Sequence, residues 1–267
     1  MVPSRQDPSP RDETSLNRLT PINWDVSWHR QRVALLQKQA QALSIRRLRE
    51  AITAFLPKAP FDALELGAGG SLWLSFLAGQ GARVFGIDLS APGLLLSCQL
   101  NQAANIQAHL IRGNVLELPL RDSSFDLVFS AGLVEHFDPP APLLDKTFQL
   151  LKPGGTAITL VPNKRGIARI LDRWLHPDSF GGHILFVPEK LAEAHRQSGL
   201  IPLQAQYLGC FYFGARAPEK GLLRLPYRIM RRLITAGLYW LMDSLRWYPE
   251  SQTFSPSILV VAKRPER

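Results

Sequence analysis

Cysteine is nearly absent: Cys98 and Cys210 are the only two among 267 residues. With no Cys-x-x-Cys and no Cys/His grouping at ligand spacing, a disulfide scaffold and a zinc ribbon are excluded, no metal site is expected, and a reduced, cytoplasmic setting fits. Long apolar runs are missing too. No stretch reaches the roughly 20 residues that span a bilayer, so a transmembrane protein is not expected. The opening residues Met1-Val2-Pro3-Ser4-Arg5-Gln6-Asp7 hold no apolar core of a secretory signal. No internal repeat is visible at any period. Acidic residues fall short of basic ones, 22 against 31, a net charge of +9. That balance permits contact with nucleic acid, anionic lipid or an anionic small substrate and selects none of them.

What remains is 46% hydrophobic and 20% charged, ample for a core, and the length suits one large α/β domain with extensions or two small ones. Residues 1–22, rich in Pro, Ser, Arg and Asp, read as a flexible arm. From Asn23 to about Leu56, Leu35, Leu36, Leu43, Leu48, Ile52 and Phe55 recur at near-helical spacing, which predicts one long or two short amphipathic helices, a lid over residues 23–58. Trp24 and Trp28, four apart, share a face there and serve either as docking aromatics or as a cover over a ligand. After Pro60, short apolar strands alternate with helical stretches. Strands are expected at 62–67, 82–88, 107–113, 125–130, 156–162, 201–209 and 256–263, with helices at 70–79, 91–104, 141–151 and from 188 to near Gly199. The pattern implies βαβ units: a Rossmann-like, doubly wound, mostly parallel sheet of seven strands. Segments 163–187 and 211–254 are cap insertions.

The segment Leu64-Glu65-Leu66-Gly67-Ala68-Gly69-Gly70-Ser71 stands where a strand gives way to a helix. Glycines there allow a tight turn and a close backbone approach, and a helix N-terminus offers unpaired N–H groups. A dinucleotide fingerprint would need Gly where Leu72 stands, and no Gly-Lys-Ser/Thr ending marks a phosphate loop. Asp88 ends the next strand, at the place from which a carboxylate accepts hydrogen bonds from both hydroxyls of a ribose. Gly113-Asn114-Val115 and Ser130 to His136 close the third and fourth strands. All four tails meet at the carboxyl edge of one parallel sheet, where such folds bind ligands.

On these residues the chain resembles the class I S-adenosylmethionine-dependent methyltransferases, in the small-molecule branch that includes quinone-biosynthesis C-methyltransferases. The resemblance covers roughly 60–200. It implies that Glu65, Gly67, Ala68 and Gly69 wrap the methionine part of S-adenosyl-L-methionine. Asp88, with Leu89 beside it, would hold the ribose, and Asn114 with Val115 would hold the adenine. Ser130 and Glu135 lie in the segment that closes over the cofactor and opens to the acceptor. The Leu-Lys-Pro-Gly-Gly turn at 151–155 and the run from His183 to Leu191 match the family's later motifs, with Phe186 one place nearer the His. Two departures stand out. Ser71 replaces a third glycine, which a helix-capping hydroxyl can tolerate, and Asn114 replaces the usual Asp while still able to accept and donate.

Methyl transfer from a sulfonium is an in-line displacement that needs positioning and exclusion of water more than a base. For a hydroxyl or phenol acceptor a base helps, and His136 and His183 are the candidates, each alternatively a brace for its loop. His29, His109, His176 and His195 are expected to be surface or structural. The acceptor is expected to be small or amphiphilic. A nucleic-acid methyltransferase is the first alternative. The amino-methylating signature, however, would stand where Ser130-Ala131-Gly132-Leu133 does, and Asp138-Pro139-Pro140 comes too late, so no nucleic-acid partner is expected. A non-catalytic cofactor-binding protein is the second. In the last insertion, residues 224–247 put Ile229, Met230, Leu233, Gly237, Trp240, Leu241 and Leu245 on or near one side of a helix and five arginines on another. That helix suits peripheral contact with an anionic membrane, or packs on the core or on a second subunit.

Overall fold

The computed structural model describes residues 24–29, 31–40, 42–117, 120–167, 184–209 and 224–266. The expected arm over 1–22 and most of the 163–187 insertion lie outside them. Strand β1 (Phe61–Leu66) is buried along nearly its whole length, as a strand must be when helices cover both faces of its sheet. Around it stand β2 (Ala82–Asp88), β3 (Ala108–Arg112), β4 (Phe125–Ala131), β5 (Leu151–Pro162), β6 (Ile201–Leu208) and β7 (Ser257–Lys263). Their order is β3-β2-β1-β4-β5-β7-β6. The first five run parallel, and β7 lies antiparallel between β5 and β6. The sheet is therefore the seven-stranded, mostly parallel, Rossmann-like α/β sheet expected. The order reverses between β1 and β4, which opens the crevice at their carboxyl ends.

Helices α4 (Leu74–Gly79), α5 (Ala91–Ala103), α6 (Ala141–Leu150) and α7 (Pro188–Gln197) connect the strands. One apolar cluster joins Leu143, Leu144 and Leu191 to Leu64, Leu66 and Val128; a second, on the other face, joins Leu48, Ile52, Leu74 and Leu77 to Ala63, Leu127 and Phe129. Prolines stand in the first turns of α5, α6 and α7, where the missing N–H costs nothing. At α5 the Ser90 hydroxyl also accepts from Gly93 N–H at 3.2 Å, a capping bond.

Several boundaries differ from the sequence reading: β5, expected from residue 156, begins at Leu151, so Lys152-Pro153-Gly154-Gly155 lies within the strand. The region 23–56 forms three short helices, α1 (Trp24–His29), α2 (Val33–Ala40) and α3 (Leu43–Thr53). The helix expected from residue 70 starts at Leu74. Before it the Ser71 hydroxyl accepts from the N–H groups of Trp73 and Leu74 at 3.0 and 3.1 Å. Ser71 thus satisfies the N–H groups that open α4, whose N-cap is Trp73. The segment between β6 and β7 carries the 22-residue helix α8 (Arg224–Leu245). β6 is parallel to β1 and β7 antiparallel, so this insertion leaves and re-enters the sheet at the carboxyl edge.

Candidate functional site

Glycine is required at two points of the turn after β1 by conformation alone: Gly67 has φ +77° and Gly70 has φ +56°, a region that costs an L-residue about 1–2 kcal/mol. Gly69 is required for a different reason. A Cβ on it would lie 2.9 Å from Asp88 Oδ2, because Gly69 N–H donates to that oxygen at 2.8 Å. The other oxygen, Oδ1, accepts from Ser90 N–H at 2.7 Å. Asp88 thereby ties the turn after β1 to the turn after β2, and the carboxylate, with about four lone-pair sites, keeps acceptor capacity beyond these bonds. Burial raises its pKa against the pull of the Ser90, Gly69 and Leu89 N–H groups, and the nearby Asp25 raises it further. The turn is braced from beneath as well. The Ser97 hydroxyl donates to Ala68 C=O and accepts from Ser71 N–H at 2.8 Å.

Glu65 is fully buried, accepts a hydrogen bond from the Ser71 hydroxyl at 2.5 Å, and is pushed up to about 8 chiefly by loss of solvation. A carboxyl held so high is ready to ionise when a cation arrives beside it. Leu89, next to Asp88, is exposed and offers an apolar surface to a flat ring. Asn114 is half-buried at the end of β3; its Oδ1 accepts from Leu116 N–H at 3.1 Å and its Nδ2 donates to Glu117 Oε1 at 2.8 Å. Val115 sits in the core cluster, which leaves its main chain, not its side chain, for a ligand. Ser130 is buried at the end of β4, and Glu135 is buried in a single 3-10 turn, Val134–His136.

His136 Nε2 lies 3.8 Å from Glu135 Oε1, and its ring meets that of Trp24 at right angles with centroids 4.8 Å apart. His183, His176 and Cys210 lie outside the described residues. The other histidines have local tasks. His109 stacks on Phe85, His29 Nδ1 bonds to the Asp25 carbonyl, and His195 is buried between Leu191 C=O and the Thr159 hydroxyl.

Sequence reasoning left open whether Trp24 and Trp28 dock the helix or cover a ligand, and the structure shows docking by Trp28. Trp28 docks among Leu36, Leu72, Leu96 and Leu100 and also lies over the glycine turn. A Cβ on Gly69, Gly70 or Gly93 would come within 2.9, 2.5 or 2.9 Å of its ring. Asp25 of the same helix accepts from the Ser90 hydroxyl at 2.6 Å. Ser90, Ser97 and Asp25 were missed, since bonds across 26 to 65 residues leave no local pattern. Asn163 was missed likewise. It is buried just beyond β5, and its amide donates to Gln252 and Ser255 carbonyls at 2.7 and 2.8 Å, pinning the returning end of the last insertion to the same edge.

The arrangement suits S-adenosylmethionine: a glycine cradle, a carboxylate with unused acceptor directions, an exposed apolar neighbour and a buried high-pKa carboxyl converge at the switch point. Residues 64–159 match the family model of a methyltransferase domain. Ubiquinone biosynthesis O-methyltransferase of Ruegeria pomeroyi is 28% identical over 155 residues, 55% of this chain and 62% of that protein. Its counterpart in Cereibacter sphaeroides is 30% identical over 161 residues, 57% of this chain and 65% of that protein. The matches thus span less than two thirds of these relatives' length. Among solved structures, Burkholderia thailandensis 1,6-didemethyltoxoflavin-N1-methyltransferase, with 1,6-didemethyltoxoflavin and S-adenosylhomocysteine bound, superposes with TM-score 0.58 at 17% identity, covering 91% of this chain and 86% of its own. Geranyl diphosphate C-methyltransferase of Streptomyces coelicolor gives 0.55 at 17%, covering 81% and 75%. At such identities the likeness is one of fold.

Proposed function

We infer that this chain, a methyltransferase domain on the class I S-adenosylmethionine-dependent fold, transfers the cofactor's methyl group to a small, lipid-like acceptor. The observation that carries the reading is the 2.8 Å bond from Gly69 N–H to Asp88 Oδ2, which brings turn and carboxylate together at the switch point of the sheet. The lipid-like acceptor rests on similarity to ubiquinone biosynthesis O-methyltransferases.

When bound, the sulfonium cofactor supplies an electrophilic methyl group. Asp88 would hold the ribose hydroxyls with its remaining acceptor directions, and Leu89 and the Asn114 turn would flank the adenine. Glu65 and the Gly67–Gly69 backbone would hold the methionine end, where an ionised Glu65 balances an ammonium. α1, with Trp24 and Trp28, keeps water from this end of the crevice. His136 is the proton acceptor for a hydroxyl or phenol, and Glu135, 3.8 Å away, stabilises the imidazolium that forms.

The test is transfer of label from methyl-labelled S-adenosylmethionine to a prenylated catechol, followed by extraction into organic solvent. Label in the organic phase, dependent on Asp88, is the expected result. Tight cofactor binding with no transfer to this or any other small acceptor would favour the non-catalytic reading, and label in RNA would favour the nucleic-acid reading.

A further inference from the structure

A helix that packs on its own domain turns its apolar side inward, and α8 does the reverse. Trp240 is 71% exposed and Leu233 67%, and Ile229, Met230, Leu241 and Leu245 are also exposed. At about 100° per residue these six positions fall within an arc of about 160°. Met242, on the opposite side, is buried. Among the described residues, the packing of the apolar side on the core that the sequence left open therefore does not occur. The helix is moored near its carboxyl end instead. Arg46 pairs with Asp243, the Tyr248 hydroxyl donates to Asp243 Oδ1 at 2.8 Å, and the Arg47 guanidinium lies 4.1 Å from the Tyr248 ring centre. A continuous apolar stripe of this kind marks a contact surface.

Charge identifies the occupant. Residues 224–247 hold five arginines, Arg224, Arg228, Arg231, Arg232 and Arg246, against one acid, Asp243, which is already paired with Arg46. By position on the helix, Arg231 and Arg232 stand beyond the two opposite borders of the apolar arc, and Arg232 and Arg246 are exposed. A second copy laid stripe to stripe would bring arginine borders against arginine borders with no acid left to meet them. A bilayer with anionic headgroups meets both features, hydrocarbon against the stripe and phosphate against the arginines. Among the described residues no helix is long and apolar enough to cross a membrane, so α8 would lie in the interface plane.

We propose that α8 seats the carboxyl edge of the sheet on an anionic lipid surface. The insertion leaves after Leu208 and returns at Ser257, at the same edge as the Gly67 turn, Asp88 and Ser130. A docked α8 therefore sets the crevice beside the bilayer. Resting on the methyl-transfer reading, this geometry makes the acceptor an amphiphile that enters from the membrane.

The test is sedimentation of the whole chain, with neither cofactor nor acceptor, with vesicles of phosphatidylcholine alone or phosphatidylcholine mixed with phosphatidylglycerol, at low salt. Failure of the methyl-transfer reading leaves its outcome unaffected. The protein is expected in the pellet with the anionic vesicles. The exposed pair Leu233→Asp/Trp240→Asp should lower partitioning at least about tenfold, and Arg231→Glu/Arg232→Glu should also release it. Both variants are checked for unchanged circular dichroism. Three results would each overturn the proposal: protein in the supernatant with both lipids, equal binding to neutral vesicles, or binding untouched by the aspartates. A dimer in velocity sedimentation that the aspartates split, without vesicle binding, would assign the stripe to a second copy.

Discussion

The indole of Trp28 lies so close over Gly70 that a Cβ there would stand 2.5 Å from Cζ3. Two independent constraints thus meet at one residue, the contact and the backbone φ of +56°. Gly70→Ala should destabilise the protein by about 2 kcal/mol or more, of which about 1–2 kcal/mol is conformational. Adding Trp28→Ala should recover only the contact part. Urea denaturation of the single and double variants measures both, and strict additivity would mean that the ring and the glycine do not meet.

Glu65 gives a pH signature. Its folded pKa of about 8 exceeds the ordinary carboxyl value, so between about 4.5 and 8 the folded state binds more protons than the unfolded one. Stability of the parent relative to Glu65→Gln should therefore fall as pH rises through that window, by at most about 1.4 kcal/mol per pH unit, and level off above it. A flat difference between parent and variant across pH 4.5–8 would show that Glu65 titrates normally.

His195 works with the opposite sign. Burial holds it down at about 4, its Nδ1–H donates to Leu191 C=O and its Nε2 accepts from the Thr159 hydroxyl. Between about 6.5 and 4 the unfolded state binds the extra proton, so stability is lost as pH falls through that range. His195→Gln should cost about 1–3 kcal/mol at neutral pH through lost packing and hydrogen bonding. Its deficit should shrink as pH falls from about 6.5 to 4. Denaturation series at several pH values decide it.

For His136, replacement by Ala should lower turnover about tenfold or more while leaving cofactor affinity within about twofold, because a base contributes to rate and not to cofactor binding. The parent's rate should fall on the acid side, where an imidazole carries the proton it must accept. Full rate with an unchanged profile would leave His136 as a brace between Glu135 and Trp24.

Much of this architecture was legible in the chain because it is written locally. Buried parallel strands are near-continuous apolar runs, Gly67 and Gly69 interrupt one at its end, and Asp88 closes the next. Ser71, read as a cap, accepts from the N–H groups that open α4, although the N-cap is Trp73. What was illegible depends on partners far away in sequence. Nothing near Trp28 announces Gly70 and Gly93, and nothing near Ser97 announces Ala68. Gly70, with Gly67, takes the positive φ, although the spacing drew attention to Gly69. Periodicity revealed that α8 has an apolar face; only the fold could show that this face points away from the body.

Binding of S-adenosylmethionine at Asp88 is the claim from which the rest follows, and titration calorimetry of the parent and of Asp88→Ala tests it most directly. Losing a charge-assisted pair of hydrogen bonds should cost about 1.5–3 kcal/mol, so the variant should bind at least about tenfold more weakly. Equal affinity in parent and variant, or no heat of binding from the parent, would contradict the account.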